Sequence, residues 1–186
     1  QNPLGLAAGF DKNCVVVEPL AAEWGTVKAA IAGQMAEYRA GGKGAKKAYR
    51  AADDGFLGFL ERLKSFRVLD PACGSGNFLY LALRALKDLE HRANLDAEAL
   101  GLHRQLSIEV CPRSVLGIEL NPYAAELARV TVWIGEIQWM LKHGYDIRRN
   151  PILAPLDHIE CRDAVLNVDL SSPSPFCPPL PAGEGP

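Results

Sequence analysis

Apolar residues recur at helical spacing in the first third of the chain. One stretch, 18–39, keeps its apolar positions on a single helical face: Leu20, Trp24, Val27, Ile31, Met35 and Tyr38. A second stretch begins at Asp53 or Asp54, either of which can cap a helix, and its apolar side is formed by Phe56, Phe59, Leu60 and Leu63. The pattern predicts two helices joined by 40–52, a glycine-rich basic segment that we interpret as a solvated linker, with contact to a phosphate backbone as the alternative.

A strand, a glycine loop and a helix follow in 67–89. The apolar pair Val68-Leu69 runs into Asp70-Pro71, and Gly74 and Gly76 precede a helix whose packed face is Phe78, Leu79, Ala82, Leu83, Leu86 and Leu89. Such units hold nucleotide-like ligands in α/β folds, because small residues let the backbone approach the ligand. A tight turn without a ligand is the alternative.

Two common phosphate-binding loops are excluded by the residues around Gly76. The dinucleotide fingerprint G-x-G-x-x-G needs a third glycine where Leu79 stands. The P-loop needs a lysine directly after its last glycine, and the next lysine here is Lys87.

The remaining pattern predicts two more strands and a long helix. An insertion, 94–114, is expected to hold a short helix (96–105) and a short strand (106–110). A strand over 115–120 ends near Glu119, and Asn121 caps a helix that runs from Pro122 to about Lys142. We expect that helix to be largely buried through its apolar positions Leu127, Val130, Trp133, Ile134, Ile137 and Leu141. A third strand is expected at 158–161.

Composition limits the possible functions. The 186 residues are 48% hydrophobic and 23% charged with a net charge of −2, so the chain as a whole is not an electrostatic binder of nucleic acid. The five cysteines form no C-x-x-C pair, which argues against a zinc site. The apolar stretch 122–143 contains Glu126, Arg129 and Glu136 and should not span a membrane. We therefore expect a cytoplasmic protein with no bound metal.

Two segments resemble one enzyme family. Residues 70–78, Asp-Pro-Ala-Cys-Gly-Ser-Gly-Asn-Phe, resemble motif I of class I S-adenosylmethionine-dependent methyltransferases, in the form typical of adenine-specific DNA methyltransferases. Residues 117–140, GIELNPYAAELARVTVWIGEIQWM, look like the corresponding region of large single-chain restriction–modification enzymes and related phage-defence methyltransferases. The resemblance covers about 53–165. It implies an α/β, Rossmann-like class I methyltransferase fold whose parallel sheet is incomplete here and is preceded by helices.

The resemblance also implies a binding site for S-adenosyl-L-methionine. The loop would shape the methionine side of the pocket through Asp70, Pro71, Ala72, Cys73, Gly74, Ser75, Gly76, Asn77 and Phe78. Glu119, followed by Leu120, would accept hydrogen bonds from the ribose hydroxyls, and Asp163 with Ala164 would bind the adenine. The alternatives are an ordinary exposed acid at a helix start for Glu119 and a surface turn residue for Asp163.

The acceptor-binding motif of the family is missing. We find no Asn/Asp-Pro-Pro-Tyr/Phe string, which would hold the exocyclic amine of adenine in line with the methyl group, so we assign no catalytic residue. Pro173-Ser174-Pro175-Phe176 comes nearest but lacks the amide or carboxylate. The chain then divides into an irregular segment (1–17), a helical lead-in (18–66), a partial cofactor-binding domain (67–170) and a disordered Pro/Gly-rich tail (171–186).

The leading hypothesis is the cofactor-binding half of an adenine-specific DNA methyltransferase of a restriction–modification or phage-defence system, with DNA bound through regions missing from this chain. A gene truncated near residue 170 would leave the first strand as an open sheet edge and give a poorly soluble product. A catalytically inactive remnant is the second hypothesis. A flavin or dinucleotide oxidoreductase is the third, because 2–13 look like the flavin-site segment of class 2 dihydroorotate dehydrogenases; a chance match or an imprecise start of the reading frame explains that likeness more simply.

Overall fold

A computed structural model of the chain describes residues 4–6, 15–105, 108–145 and 155–165. Its strands and long helices, in chain order, are β1 (Leu4–Leu6), α1 (Glu18–Ala40), α2 (Ala45–Ser65), β2 (Arg67–Asp70), α3 (Asn77–Leu100), β3 (Val115–Glu119), α4 (Pro122–Lys142) and β4 (Ile159–Cys161). Short 3-10 helices occupy Val15–Val17 and Pro112–Ser114. This helix-rich arrangement with a small parallel sheet is compatible with the fold that the resemblance implies.

The sheet has the order β1-β2-β3-β4, and every neighbouring pair is parallel. β2 therefore lies between two strands, and the expectation that it forms an open edge is wrong. The expectation of an irregular segment over 1–17 is also wrong for Leu4–Leu6, because these residues pair with Arg67, Val68 and Leu69 of β2. A three-residue strand carries too little pattern to be recognised in a sequence. The parallel order brings the carboxyl ends of β2, β3 and β4 to one edge of the sheet.

One face of the sheet is covered by α3, which connects β2 to β3. Val68, Val115 and Ile159 lie on this face and are fully buried. Gly117 lies on the same face, and a Cβ atom there would come within 2.9 Å of Leu79 Cδ1 of α3. The close approach of α3 to the strands explains why β3 carries a glycine at its centre.

The predicted first helix is confirmed as α1, and it packs with α2 against α3. The Trp24 ring of α1 lies 4.8 Å, between centroids, from the Phe59 ring of α2. Its Nε1 donates a hydrogen bond of 2.9 Å to Asp96 Oδ2 of α3. These contacts tie the two lead-in helices to the same core as the sheet.

The predicted start of the second helix is wrong, because α2 begins at Ala45 and not at Asp53 or Asp54. Residues 45–52 are therefore helix and not a linker. The reason is that the alanines of this segment favour helix, and two of them, Ala48 and Ala52, are buried on the packed side of α2.

The prediction for the insertion 94–114 is also wrong in part. α3 continues without a break to Leu100, so Asp96 belongs to this helix and not to a separate one. Gly101, in the left-handed region with φ 96°, ends it. Residues 108–110 form no strand, and the other residues of the predicted strand, 106 and 107, lie outside the described residues.

The bounds predicted for the last long helix are confirmed, but its buried face is not the predicted one. Four of the six apolar positions expected to be buried are exposed: Leu127, Val130, Ile134 and Leu141. The buried positions are Ala125, Ala128, Val132, Gly135 and Trp139. Small residues are needed there because α4 lies very close to its neighbours: a Cβ at Gly135 would lie 2.3 Å from Tyr80 Cδ2 of α3.

No helix in the described ranges is both long and apolar enough to cross a bilayer. The Pro/Gly-rich tail predicted for 171–186, the string at 173–176 and most of the flavin-like segment 2–13 lie outside the described residues.

Candidate functional site

The glycine loop lies at the carboxyl edge of the sheet, between β2 and α3. It is fixed to β3 by the Cys73 amide, which donates a hydrogen bond of 3.0 Å to the Ile118 carbonyl. It is closed internally by the Gly76 amide, which donates to the Cys73 carbonyl at 2.9 Å. Gly74 and Gly76 have φ values of 53° and 83°, a region that other residues rarely adopt. The loop is therefore a fixed turn that delivers the chain to the first residue of α3.

The two loop glycines have different surroundings. A Cβ at Gly76 would lie 2.8 Å from Ala128 Cα of α4, so packing between loop and helix requires a glycine there. A Cβ at Gly74 would meet nothing within 4 Å. Gly74 thus borders open space, as a residue must if it is to lie against a ligand.

Glu119, the last residue of β3, joins three elements at this edge. Its Oε2 accepts a hydrogen bond of 2.8 Å from the Gly74 amide, and its Oε1 accepts one of 2.9 Å from the Asn121 amide. Asn121 is the N-cap of α4, as predicted, and its Oδ1 accepts from the Tyr123 amide at 3.0 Å. The carboxylate therefore ties the end of β3 to the glycine loop and to the start of α4.

Asp70, the last residue of β2, lies beside Glu119 and is buried. Burial raises the pKa of its carboxyl above the usual value of 3.8. The hydrogen bond from the Ala72 amide to Oδ1, 3.1 Å long, works in the opposite direction, and the charge of Glu119 raises the pKa further. Removing the charge of Asp70 should therefore favour the folded state.

We expect Asp70→Asn to increase the free energy of unfolding at pH 7, since asparagine keeps an acceptor for the Ala72 amide and carries no charge. A carboxyl whose pKa is raised by folding stabilises the fold below its unfolded pKa, and that contribution is lost as pH rises through the folded pKa. The gain should therefore shrink as pH is lowered towards 4. Urea unfolding at pH 7 and pH 4 measures both effects, and a variant less stable than the wild type at pH 7 would contradict this account.

Cys73 is excluded as a nucleophile by its surroundings. Burial, assisted by the charges of Asp70 and Glu119, raises the pKa of its thiol to about 11. The thiol is thus protonated at neutral pH, and only the thiolate is reactive.

Asp163 follows β4 at the same edge. The Arg162 amide donates a hydrogen bond of 3.1 Å to the Glu119 carbonyl, which continues the pairing of β3 with the chain beyond β4. Asp163 Oδ1 accepts from the Val165 amide at 2.7 Å and forms a turn. The structure thus brings the ends of three neighbouring strands, with Asp70, Glu119 and Asp163, to one edge.

The other predicted residues lie along this edge with different exposures. Ala72, Ser75, Asn77, Leu120 and Ala164 are exposed, whereas Pro71 and Phe78 are half-buried. The exposed side chains are thus accessible to a ligand.

Arg129 of α4 was not predicted to have a role at this edge. Its Nη2 donates a hydrogen bond of 2.6 Å to the Ile159 carbonyl, and its Nη1 pairs with Glu126. The guanidinium therefore fixes β4, and with it the turn at Asp163, to α4. A sequence carries no signal for such a contact, because the acceptor is a main-chain carbonyl 30 residues away.

Within the described part of the chain, no group of three or more His, Cys, Asp or Glu side chains is arranged to hold a metal ion. The acidic residues at the carboxyl edge are engaged with backbone amides instead.

Comparisons with known proteins assign the sequence to a family. A profile described as "MmeI, DNA-methyltransferase domain" matches residues 45–172. A putative type II restriction enzyme and methyltransferase of Methanocaldococcus jannaschii is 31% identical over 81 residues, which are 43% of this chain and 7% of that protein. DNA methyltransferase A of Bacillus subtilis is 34% identical over 80 residues, 42% of this chain and 9% of that protein.

The matches thus span less than a tenth of each of these two relatives. No solved structure matches the chain significantly. The family profile, however, covers more than half of the chain and includes the glycine loop, Glu119 and Asp163. The chain belongs to the MmeI DNA-methyltransferase domain family.

Proposed function

We propose that this chain forms the cofactor-binding part of a DNA methyltransferase that transfers a methyl group from S-adenosyl-L-methionine to the exocyclic amine of adenine. Membership of a DNA-methyltransferase family supports the reaction class. The names of the two relatives, one of which is a restriction enzyme and methyltransferase, support a restriction–modification setting. A cytoplasmic location follows from that setting as part of the proposal.

One observation carries the proposal: the Glu119 carboxylate at the tip of β3 reaches the glycine loop after β2. In doubly wound folds a ligand lies outside the carboxyl ends of the strands, across neighbouring strand ends. The internal position of β2 and the parallel neighbours support the class I, Rossmann-like form of that fold.

The residues present suit the cofactor in charge and in the space beside the loop. Gly74 leaves open space beside the loop, and Asp70 and Glu119 give the edge a negative charge that suits a ligand with a sulfonium and an ammonium group. Each Glu119 oxygen accepts one backbone amide and has a second lone pair free for a ribose hydroxyl.

In this proposal the loop residues 70–78 hold the methionine part of the cofactor, Glu119 with Leu120 holds the ribose, and Asp163 with Ala164 holds the adenine. The cofactor itself supplies an activated methyl group, so the reaction requires no metal. Asp70 orients the loop through the Ala72 amide, and Arg129 holds the β4 end in place.

The adenine specificity rests on the form of motif I, and the motif that would hold the target base is absent from the sequence. Binding of the cofactor without methyl transfer is the second candidate function. Transfer of a labelled methyl group to unmethylated DNA by the purified chain would exclude the second candidate, and failure of the chain to bind S-adenosylhomocysteine would exclude both.

We expect Glu119→Ala to weaken binding of S-adenosylhomocysteine at least ~10-fold, because two hydrogen bonds from ribose to a charged acceptor are lost. Isothermal titration calorimetry measures the affinity. Glu61→Ala is the matched control, since the Glu61 side chain is 74% exposed and pairs with Lys64 of α2, a helix that contributes no residue to the proposed pocket.

The control variant should bind as the wild type does. If Glu119→Ala and the wild type bound S-adenosylhomocysteine with equal affinity, Glu119 would not bind the ribose. No binding to the wild type at all would remove the proposed function for this chain.

A further inference from the structure

Four cations lie together where α1 turns into α2, in a chain whose net charge is −2. We call this surface the basic corner; its residues are Lys43, Lys46, Lys47 and Arg50, and all four are exposed. The sequence has no acidic residue between Glu37 and Asp53. The positive charge of this corner is therefore local and concentrated.

The four cations of the basic corner form no ion pair within the described ranges. No carboxylate there comes within ion-pair distance of its four side chains. Glu37, whose Oε1 lies beside Gly44, is the neighbouring acid at the turn and pairs with none of them. By contrast, Lys28 of α1 and Arg62 of α2, whose side chains are partly exposed, each pair with an acid.

The cations also occupy a place that weakens the helix. Lys46 and Lys47 are the second and third residues of α2, and its first turn contains no acid. The amino end of a helix carries a partial positive charge that disfavours cations, and Lys46 and Arg50, four residues apart, repel each other. A polyanion bound at this corner would offset the cost of these cations to the helix.

An aromatic pair adjoins the basic corner. The rings of Tyr38 and Tyr49 lie 5.1 Å apart between centroids, and Tyr38 is 41% exposed. Tyrosine hydroxyls are among the groups that contact phosphate oxygens in protein–DNA complexes.

The basic corner lies far from the cofactor edge. Arg39, just before the turn, donates a hydrogen bond of 2.7 Å to the Leu100 carbonyl at the end of α3. α3 has 24 residues and starts in the glycine loop, so its ends are about 36 Å apart. That distance corresponds to about ten base pairs of B-form DNA.

We propose that the basic corner binds the phosphate backbone of duplex DNA about one helical turn away from the methyl-transfer site. The identity of the polyanion as DNA rests on the proposed function. The interpretation of residues 45–52 as a linker is wrong, because Lys46, Lys47 and Arg50 lie on helix α2 and not on a flexible connection.

The test is the salt dependence of binding of the full chain to a fluorescein-labelled 30-base-pair duplex of arbitrary sequence, followed by anisotropy. The variant is Lys46→Gln with Lys47→Gln. The matched control is Arg113→Gln with Lys142→Gln, two exposed cations that also lack an ion pair in the described ranges.

The slope of log K against log salt is negative, and each lost phosphate contact makes it less steep by about 0.9. The slope of the variant should therefore be about 1.8 less steep, while that of the control changes little. The proposal would be overturned if the slope of the variant were unchanged, or if the slope of the control became less steep by the same amount. Equal or tighter binding to single-stranded RNA or to phosphatidylserine vesicles would overturn it as well, since a different partner class would then be favoured.

Stability separates a DNA contact from a structural role. Lys46→Glu with Lys47→Glu should raise the melting temperature, because acids suit the amino end of α2, and should abolish DNA binding. A lower melting temperature would show that the lysines serve the fold and would contradict the proposal.

Titration of S-adenosylhomocysteine into the same proteins keeps the two proposals apart. If the lysine variant binds the cofactor normally and its salt dependence is unchanged, only the proposal for the basic corner is contradicted. If the salt dependence of the variant becomes less steep but the protein binds no cofactor, the proposed function is contradicted and the corner remains a surface for DNA.

Discussion

Gly76→Ala is expected to lower the free energy of unfolding by about 2–6 kcal/mol, because two penalties combine at this position. The residue has φ 83°, and a non-glycine residue in this region costs about 1–3 kcal/mol. The new Cβ would also lie 2.8 Å from Ala128 Cα, and forcing backbone apart in a packed interior costs about 1–3 kcal/mol. The sum is a large part of the stability of a small domain. Urea unfolding followed by circular dichroism measures it.

Gly74→Ala is the matched control, since its φ of 53° is also left-handed but its Cβ would meet nothing within 4 Å. This variant should lose only about 1–2 kcal/mol of stability. In the proposed function it should nevertheless bind S-adenosylhomocysteine poorly, because its methyl group would enter the space beside the loop. Equal destabilisation by the two substitutions would show that the contact with α4 is not what requires Gly76.

The strand–loop–helix unit at 67–89 could be predicted because its signals are local. A short apolar strand, an aspartate at its end, two glycines and a helical stripe lie within about two dozen residues. The end of β3 at Glu119 and the cap at Asn121 were likewise recognisable, since a cap depends on one side chain and the amides that follow it. The candidate site is built from these local units, which is why its residues could be named from the sequence.

The exposed stripe on α4 could not be predicted, because hydrophobicity does not tell which of two apolar faces is buried. Leu127 and Ile134 are larger than Ala128 and Gly135, yet the small residues face the core. Which face of α4 is buried depends on how close this helix lies to Gly76 and Tyr80, which is a property of the folded chain. The start of α2 was missed for a related reason: an aspartate within a helix and one that caps it look the same in a sequence.

A buried polar network between α3 and the loop before β3 also gave no signal in the sequence. Lys87 and Glu90 of α3 are 1% and 2% exposed. The Glu90 carboxylate accepts hydrogen bonds from the amides of Glu109 and Val110, at 2.8 and 2.9 Å. The lysine and the glutamate lie three residues apart on a helix and read as solvent-facing positions, but the loop folds over them and buries both.

Lys87→Met should lower the free energy of unfolding by about 3–5 kcal/mol. Lys87 Nζ donates hydrogen bonds to Glu136 Oε1 at 2.9 Å and to the Val110 carbonyl at 3.0 Å. The Glu136 side chain is 14% exposed, and its Oε2 has no hydrogen-bond partner. Methionine would leave that carboxylate charged, desolvated and unpaired.

Two companion variants identify the cause of this loss. Lys28→Met breaks the Lys28–Asp96 pair, which is similarly short at 2.7 Å but 44% and 23% exposed, and should cost at most about 1 kcal/mol. Lys87→Met combined with Glu136→Leu should recover most of the stability, because a buried ion pair and an apolar pair of similar volume often stabilise a fold equally. Urea unfolding of the three proteins decides the matter: a double variant as unstable as Lys87→Met alone would mean that the lost hydrogen bond to Val110, and not the unpaired charge, destabilises the fold.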